Sequence, residues 1–135
     1  MKEVLIDTDI LSYYFKGDNN VFLNAEKYLD HFNTLKISII TYYEIYSGLK
    51  YKRANRQLEI FEKFSNENAI LPLTKNSCKI SSDIYARQRQ NGNVIDDTDL
   101  LIAGIAIEND LVLVTNNERH FEKIKELRIV NWKKE

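Results

Sequence analysis

The sequence predicts a three-layer α/β/α domain whose central, mostly parallel sheet has about five strands. Short runs rich in Val, Ile and Leu alternate along the chain with longer stretches of helical character. Helices between successive strands favour parallel βαβ units, which place helices on both faces of a sheet. The chain has 135 residues, a single proline and no low-complexity linker, so we expect residues 1–135 to form one domain.

Five short apolar runs are the predicted strands. In chain order they are Glu3–Ile6, Lys36–Ile40, Ala69–Leu73, Leu111–Val114 and Arg128–Trp132. Two predicted helices follow the first run, two follow the second, one follows the third and one leads into the fourth. These helices are Ile10–Lys16, Val21–Phe32, Tyr42–Tyr51, Ala54–Asn66, Lys75–Gln90 and Thr98–Asn109.

The last predicted helix is apolar on every side. Its residues Leu100–Ile107 read Leu-Leu-Ile-Ala-Gly-Ile-Ala-Ile. A helix of this kind is normally buried on most of its surface. We therefore expect an acid at its start, such as Asp99, to be held on a rigid, central element.

Composition and charge narrow the functional classes. The net charge is −1, so a polyanionic substrate would have to be met by local basic patches and metal ions. No apolar run approaches the roughly 20 residues that span a bilayer, so we expect no membrane contact. Cys78 is the only cysteine, which excludes an internal disulfide and favours a reducing cytoplasm.

Three acids stand where a strand ends or a helix begins. Asp7 ends the first strand, and taken alone it is explained as a cap of the next helix. Glu44 is the third residue after Thr41, which is the spacing of a capping box. Asp99 stands in the same relation to Asp96. Singly, each acid is therefore better explained as a helix-start residue than as a ligand.

The set of three acids favours a metal site. In a parallel fold, residues that follow strands or open helices meet at one edge of the sheet. Crowded carboxylates repel one another and raise each other's pKa unless a cation neutralises them. Oxygen-only ligands suit Mg²⁺ or Mn²⁺ rather than zinc, and such an ion can activate water against a phosphate ester. The acids thus predict a metal-dependent phosphoester hydrolase.

Four motifs follow one another along the whole chain. Val4–Leu11 joins an apolar strand to the first acid, and Ile39–Gly48 contains the second acid. Ile95–Ala103 contains the third acid, and Leu113–Phe121, followed by Val130–Trp132, contains the last two predicted strands. In this order the motifs resemble those of PIN-domain ribonucleases, and most closely the VapC toxins of toxin–antitoxin pairs. No single motif is specific, but their ordered combination is.

The resemblance implies a fold, a reaction and a partner. The fold is the PIN-like α/β/α domain, and the activity is that of an endoribonuclease toxin that hydrolyses RNA with metal-activated water. By this resemblance Asp7 and Asp99 hold Mg²⁺, for which Mn²⁺ would substitute, and Glu44 completes the catalytic pocket. Relatives of this kind are homodimers neutralised by a cognate, VapB-like antitoxin, so we expect the same partners here.

The chain departs from the family pattern at the fourth acid, where many relatives carry Asp and this chain has His120. A helix-start role is the simpler expectation for this histidine than proton transfer. Thr115 and Asn117, at the end of the fourth strand, are candidates to position water or the phosphate. Asp96 or Glu118 could replace the missing negative charge.

Basic and aromatic residues are candidates for binding surfaces. Arg87 and Arg89 precede the third acid and are the preferred candidates for contacts with RNA, while the cluster from Lys50 to Arg56 is better explained as a solvated helix face. Several aromatic and aliphatic residues could supply apolar surface for a second subunit or for the antitoxin. These are Tyr13, Tyr14, Phe15, Tyr42, Tyr43, Ile45 and Tyr46.

Two other functions remain open at this stage. Asp7-Thr8-Asp9 imitates the Asp-x-Asp pair of haloacid-dehalogenase-type phosphatases, although Ile10 stands where that motif has Thr or Val. A PIN-like module that has lost its activity and only binds RNA or protein is the non-enzymatic alternative. The missing fourth acid favours that alternative, whereas the three matching acids argue against it.

Overall fold

The computed structural model describes residues 1–134 and contains five strands and seven helices within them. The strands are β1 (Val4–Ile6), β2 (Lys36–Ser38), β3 (Ala69–Leu71), β4 (Val112–Val114) and β5 (Ile129–Val130). The helices are α1 (Thr8–Phe15), α2 (Asn19–Leu29), α3 (Ile39–Tyr51), α4 (Asn55–Glu67), α5 (Lys75–Gln90), α6 (Asp97–Glu108) and α7 (Glu118–Phe121).

All strand pairs in the described residues are parallel. β4 lies between β1 and β5, with Val4 opposite Val112 and Leu113 opposite Ile129. β2 pairs with β3, and β2 also packs beside β1. The five strands therefore form two short parallel sheets, of three and two strands, and within each sheet the carboxyl ends of the strands lie at one edge.

Alternating side chains of the central strands separate two apolar layers. Val4 and Ile6 of β1 face the layer that contains α1, α2 and α4, whereas Leu5 faces the layer that contains α5 and α6. In β4, Val112 and Val114 point to the first layer and Leu113 to the second. This alternation is the period of two expected of a strand covered on both faces. The predicted three-layer α/β/α fold is confirmed.

One predicted strand is shorter than expected because a helix begins inside it. The run Lys36–Ile40 was predicted to be a strand, but the hydroxyl of Ser38 accepts a hydrogen bond from the backbone N–H of Thr41 (3.0 Å) and caps α3. The helix therefore begins at Ile39. The capping box predicted from Thr41 to Glu44 is wrong, since Glu44 lies in the second turn of α3.

Helix α6 is buried against α5 at a glycine. The hydroxyl of Ser81 in α5 donates a hydrogen bond to the carbonyl oxygen of Leu100 (2.7 Å), which ties α5 to the first turn of α6. A Cβ at Gly104 would lie 2.6 Å from the carbonyl oxygen of Ser77 and would also collide with Ser81. The absence of a side chain at Gly104 thus sets the distance between the two helices.

Gly104→Ala is therefore expected to destabilise the protein, by about 1–3 kcal/mol of unfolding free energy, because the backbone of α5 must move. Gly48 is the matched control, since it also lies inside a helix but an added Cβ there meets nothing within 4 Å. Gly48→Ala should stabilise the protein by roughly 0.5–1 kcal/mol. Urea unfolding of the two variants measures both effects, and equal stabilities would contradict this account of the packing.

In residues 1–134, no helix combines the length and the apolar character needed to cross a membrane.

Candidate active site

The first acid lies buried where two neighbouring strands end. Asp7 directly follows β1, is only 5% exposed, and caps α1 by accepting the backbone N–H of Thr8 at Oδ1 (2.9 Å). Its other oxygen, Oδ2, accepts the hydroxyl of Thr115 (2.8 Å), which directly follows β4. Because β1 and β4 are paired, their ends hold this carboxylate from two sides. Asp7 is thus both the helix cap and the centre of a polar cluster.

Thr8 connects the first acid to the second. Its backbone N–H binds Asp7, while its hydroxyl donates to Oε1 of Glu44 (2.6 Å). The hydroxyl of Thr41 lies 2.9 Å from that of Thr8 and must donate to it, because the proton of Thr8 is directed to Glu44. The contact between α1 and α3 therefore brings Glu44 to the same edge of the sheet as Asp7.

The loop after β4 connects the first acid to the third by hydrogen bonds. Asp99 lies in the first turn of α6, and its Oδ2 is 3.2 Å from Nδ1 of His120 and 3.5 Å from Nδ2 of Asn117. The backbone N–H of Asn117 in turn donates to the hydroxyl of Thr115 (2.9 Å). The predicted capping box of Asp96 and Asp99 is not formed, since Asp96 makes no side-chain cap bond.

A continuous chain of hydrogen bonds thus joins the three predicted acids. It runs in the order Glu44, Thr8, Asp7, Thr115, Asn117 and Asp99. The members come from distant parts of the sequence, and they meet because parallel strands place their carboxyl ends together. The structure therefore brings Asp7, Glu44 and Asp99 to one site, together with the supporting residues Thr115 and Asn117.

Asp9 is a fourth acid of the site, although in the sequence it stands out only as part of Asp7-Thr8-Asp9 and not as a ligand of the predicted metal. Its Oδ1 accepts the N–H of Ile10 (2.7 Å), and its Oδ2 accepts the N–H of Asn116 (3.2 Å). Its position two residues after Asp7, in the first turn of α1, is the signal that could have identified it.

Burial and crowding raise the pKa of three of these acids. Burial raises the pKa of Asp7 to about 7, and the nearby charges of Asp9 and Asp99 add to the effect. Burial likewise raises the pKa of Asp9, as does the charge of Asp99. Burial and the charge of Asp96 raise the pKa of Asp99, against the lowering effect of His120. Without a cation, the site therefore disfavours full ionisation of its own carboxylates.

The donor set of the site fits a hard cation that keeps part of its water shell. Within residues 1–134, no three His, Cys, Asp or Glu side chains converge closely enough to hold a metal among themselves. Mg²⁺ is usually bound through one or two carboxylates, with waters and substrate phosphates filling the other positions. The buried carboxylate of Asp7, with the partly buried carboxylates around it, supplies that kind of partial site.

The two predicted RNA-binding arginines have different surroundings. Both terminal nitrogens of Arg87 bind the carboxylate of Glu126 (2.8 and 2.6 Å), so this guanidinium is already engaged in a bidentate ion pair. The guanidinium of Arg89 lies over the ring of Tyr85, 4.8 Å from its centre. Arg89 and Tyr85 together present a cation and an aromatic face near the end of α5, whereas Arg87 is paired with Glu126.

Two surface depressions are lined by residues of α3, and one of them adjoins the acids. A groove of about 430 Å³ between α1, α3 and α4 opens next to Thr8 and Glu44, with Phe15, Ile45 and Ile60 among its apolar lining residues. A broader depression of about 730 Å³ lies on α3 itself. It is lined by Ile39, Tyr42, Tyr43, Tyr46, Ser47, Lys50 and Tyr51.

Known proteins are similar to this chain in sequence and in fold. A family model described as PIN domain matches residues 4–127. The chain is 33% identical over 129 residues to ribonuclease VapC1 of Methanocaldococcus jannaschii, covering 92% of this chain and 82% of that protein. It is 30% identical over 133 residues to the tRNA(fMet)-specific endonuclease VapC of Salmonella typhimurium, covering 98% and 99% of the two chains.

Solved structures show the same likeness. The crystal structure of VapBC2 from Rickettsia felis, bound to a DNA fragment of its promoter, contains a chain with a TM-score of 0.85 and 28% identity. The match covers 96% of this chain and 98% of that one. The family model and the relatives span most of the sequence, so the chain belongs to the PIN-domain family and, within it, to the VapC ribonucleases.

Proposed function

We propose that this PIN-domain protein is a Mg²⁺-dependent endoribonuclease toxin, which hydrolyses RNA phosphodiester bonds and is neutralised by a cognate, VapB-like antitoxin. The observation that carries the proposal is the hydrogen-bonded chain that joins Glu44, Asp7 and Asp99 at one edge of the sheet. The names of the relatives, ribonuclease VapC1 and tRNA(fMet)-specific endonuclease VapC, support the reaction.

Asp7 and Asp99 are the proposed ligands of Mg²⁺, with Mn²⁺ as a substitute. When bound, the ion lowers the pKa of a coordinated water and offsets charge on the scissile phosphate. Thr8 and Thr115 hold the carboxylate of Asp7 in one orientation, one at each oxygen. Thr8 also holds Oε1 of Glu44, so this second acid can accept a proton or orient water beside the phosphate.

Incubation of the purified protein with total bacterial RNA and Mg²⁺ tests the proposal. We expect discrete RNA fragments, because an endonuclease cuts inside the chain. Intact RNA under every divalent metal, with RNA binding retained, would instead establish the inactive binding module. The phosphatase alternative loses its support, because its only basis was Asp7-Thr8-Asp9 and the chain belongs to the PIN-domain family.

The antitoxin is proposed to occupy the groove between α1, α3 and α4. Its apolar lining suits the apolar face of a helix, and its end at Thr8 and Glu44 leads to the acids. An Arg or Lys of the antitoxin would reach Asp7, Glu44 and Asp99, since a guanidinium pairs well with carboxylates.

Replacing every basic residue of the antitoxin's tail with alanine is expected to relieve inhibition of RNA cleavage. Full inhibition by that variant would contradict the proposed contact between a basic residue of the antitoxin and the three acids.

A homodimer is proposed to form through the outer face of α3. Tyr43 is 68% exposed and Tyr51 is 90% exposed, and Ile39 is exposed beside them. Apolar and aromatic residues clustered on a surface mark contact sites. Tyr43→Lys should convert a dimer into a monomer of about 15.9 kDa, as measured by light scattering. Tyr85→Lys, on α5, is the matched control and should stay dimeric; an unchanged mass for Tyr43→Lys would exclude this face.

A further inference from the structure

Each strand of the three-stranded sheet is followed by a buried polar residue. Asp7 follows β1, Thr115 follows β4 and Asn131 follows β5, and these residues are 5%, 0% and 8% exposed. The last residues of the three strands lie opposite one another, so the polar residues that follow them share the carboxyl edge of the sheet. Asp7 and Thr115 belong to the site described above. The side chain of Asn131 is directed instead to the loop that follows Thr115.

The amide of Asn131 binds this loop on both sides of Asn117. Its Nδ2 donates to Oδ1 of Asn116 (3.0 Å) and to Oε2 of Glu118 (2.9 Å). An amide nitrogen carries two hydrogens, so each acceptor receives one of them. Its Oδ1 accepts the backbone N–H of Lys133 (3.0 Å), which lies beyond β5 and outside the loop. The nitrogen of the amide therefore holds the loop, and the oxygen holds the turn after β5.

The loop held by Asn131 contacts two acids of the site. The backbone N–H of Asn116 donates to Oδ2 of Asp9 (3.2 Å), and Nδ2 of Asn117 lies 3.5 Å from Oδ2 of Asp99. Both contacts are already long, so a displacement of the loop by about 1 Å would take them beyond hydrogen-bonding distance. Groups that orient the acids around a metal affect its binding without touching it.

We propose that Asn131 is a positioning residue: it holds residues 116–118, and this loop orients Asp9 and Asp99. Asn131 acts through the loop, because its amide hydrogens are bound there and not to the acids. The inference rests on the proposed function, since these acids belong to the proposed metal site. It also gives a role to the motif Val130–Trp132, which the proposed reaction does not use.

Asn131→Asp is the test variant, because it removes only the nitrogen of the amide. A carboxylate oxygen can still accept the N–H of Lys133, but no hydrogen is left for Asn116 or Glu118, and a negative charge faces Glu118. In the metal-free protein, we expect the NMR order parameters of the backbone amides of residues 116 and 117 to fall from about 0.85 to about 0.6 or below. The affinity for Mn²⁺, measured from the free ion by electron paramagnetic resonance, should fall about 10–100-fold.

A second substitution should restore both the loop and the affinity for Mn²⁺. In Asn131→Asp combined with Glu118→Gln, the glutamine amide donates to the new carboxylate, and the net charge of the wild type is kept. The amide of Asn116 can rotate so that its nitrogen donates as well. A general loss of packing at position 131 would not be repaired by this exchange of donor and acceptor.

Asn109→Asp is the matched control. It makes the same chemical change at the end of α6 that leads to the opposite end of β4, where the amide of Asn109 donates to the carbonyl oxygen of Ile105 (2.8 Å). This variant should keep the wild-type order parameters at residues 116 and 117 and the wild-type affinity for Mn²⁺.

The outcomes separate this inference from the proposed function. Unchanged order parameters in folded Asn131→Asp would overturn the inference, as would a loosened loop with wild-type Mn²⁺ affinity, or no recovery in the double variant. If Asn131→Asp does not fold, Asn116→Ala removes one acceptor from the exposed side of the loop, and an unchanged order parameter at residue 117 would then overturn it. A wild type that binds Mn²⁺ but leaves RNA intact would contradict the proposed nuclease alone. A wild type that binds no Mn²⁺ would overturn both.

Discussion

Asp7→Asn is expected to abolish RNA cleavage, with a loss of about a thousandfold or more in kcat/KM, or about 4 kcal/mol of transition-state stabilisation. Asparagine has the shape of aspartate but no charge, so it cannot neutralise a divalent cation. Asp99→Asn should have a similar effect for the same reason. The measurement is cleavage of a labelled RNA under saturating Mg²⁺, with growth arrest on induced expression as the cellular readout.

The folded state of the Asp7 variant can be checked through its stability. The pKa of Asp7 is raised from 3.8 to about 7, so the folded protein holds a proton more tightly than the unfolded chain between these values. The stability due to this group therefore falls as pH rises through that window. Asp7→Asn removes this loss, and without metal at pH 8 its melting temperature should equal or exceed that of the wild type. The difference should shrink at pH 5.

Asp83→Asn is the matched control for the loss of activity. Asp83 lies on the exposed side of α5, so the same substitution there should leave cleavage unchanged. Full activity in a folded Asp7→Asn or Asp99→Asn protein would contradict the assignment of these two residues as metal ligands.

Glu44→Gln should lower activity without the stability loss expected from a capping residue, because Ser38 caps α3 and a Gln oxygen can still accept a hydrogen bond from Thr8.

The sequence predicted the acids but not the contacts between them. Asp7 and Asp99 were identifiable because strand ends and the start of a buried helix are visible in a pattern of apolar residues. The role of Glu44 as a cap was predicted wrongly, because a cap depends on where the helix begins, and Ser38 starts it one turn earlier. The bond from Thr8 to Glu44 depends on the packing of α1 against α3, which no local pattern records.

Long-range pairing explains the other differences from the sequence-based expectations. Arg87 looked available for RNA, but its partner Glu126 stands 39 residues further along the chain. His120 lies at the start of α7, as expected of a helix-start residue, but the contact of its imidazole with Asp99, 21 residues away in sequence, was not predicted. Periodicity predicts which side chains are buried and says little about which polar side chains meet at the surface.

The ends of the cut RNA should report how the bond is broken. A ribonuclease that uses the 2′-hydroxyl of its substrate typically needs a general base and a general acid, often a pair of histidines. This chain has two histidines, and the structure keeps them apart: His120 lies beside Asp99, and His31 lies in the turn after α2. A pair of this kind is therefore not formed, and the carboxylates are the groups left to act.

The products are accordingly expected to carry a 5′-phosphate and a free 3′-hydroxyl, because metal-activated water attacks in line and expels the 3′-oxygen. Cleavage should stop in EDTA, return with Mg²⁺ or Mn²⁺, and fail with Ca²⁺, whose larger and looser coordination suits a small partial site poorly. End-labelling with and without phosphatase treatment distinguishes the termini. A 2′,3′-cyclic phosphate would show that the 2′-hydroxyl attacked instead of water, and undiminished cleavage in excess chelator would show that no metal ion is needed. Either result would overturn the mechanism.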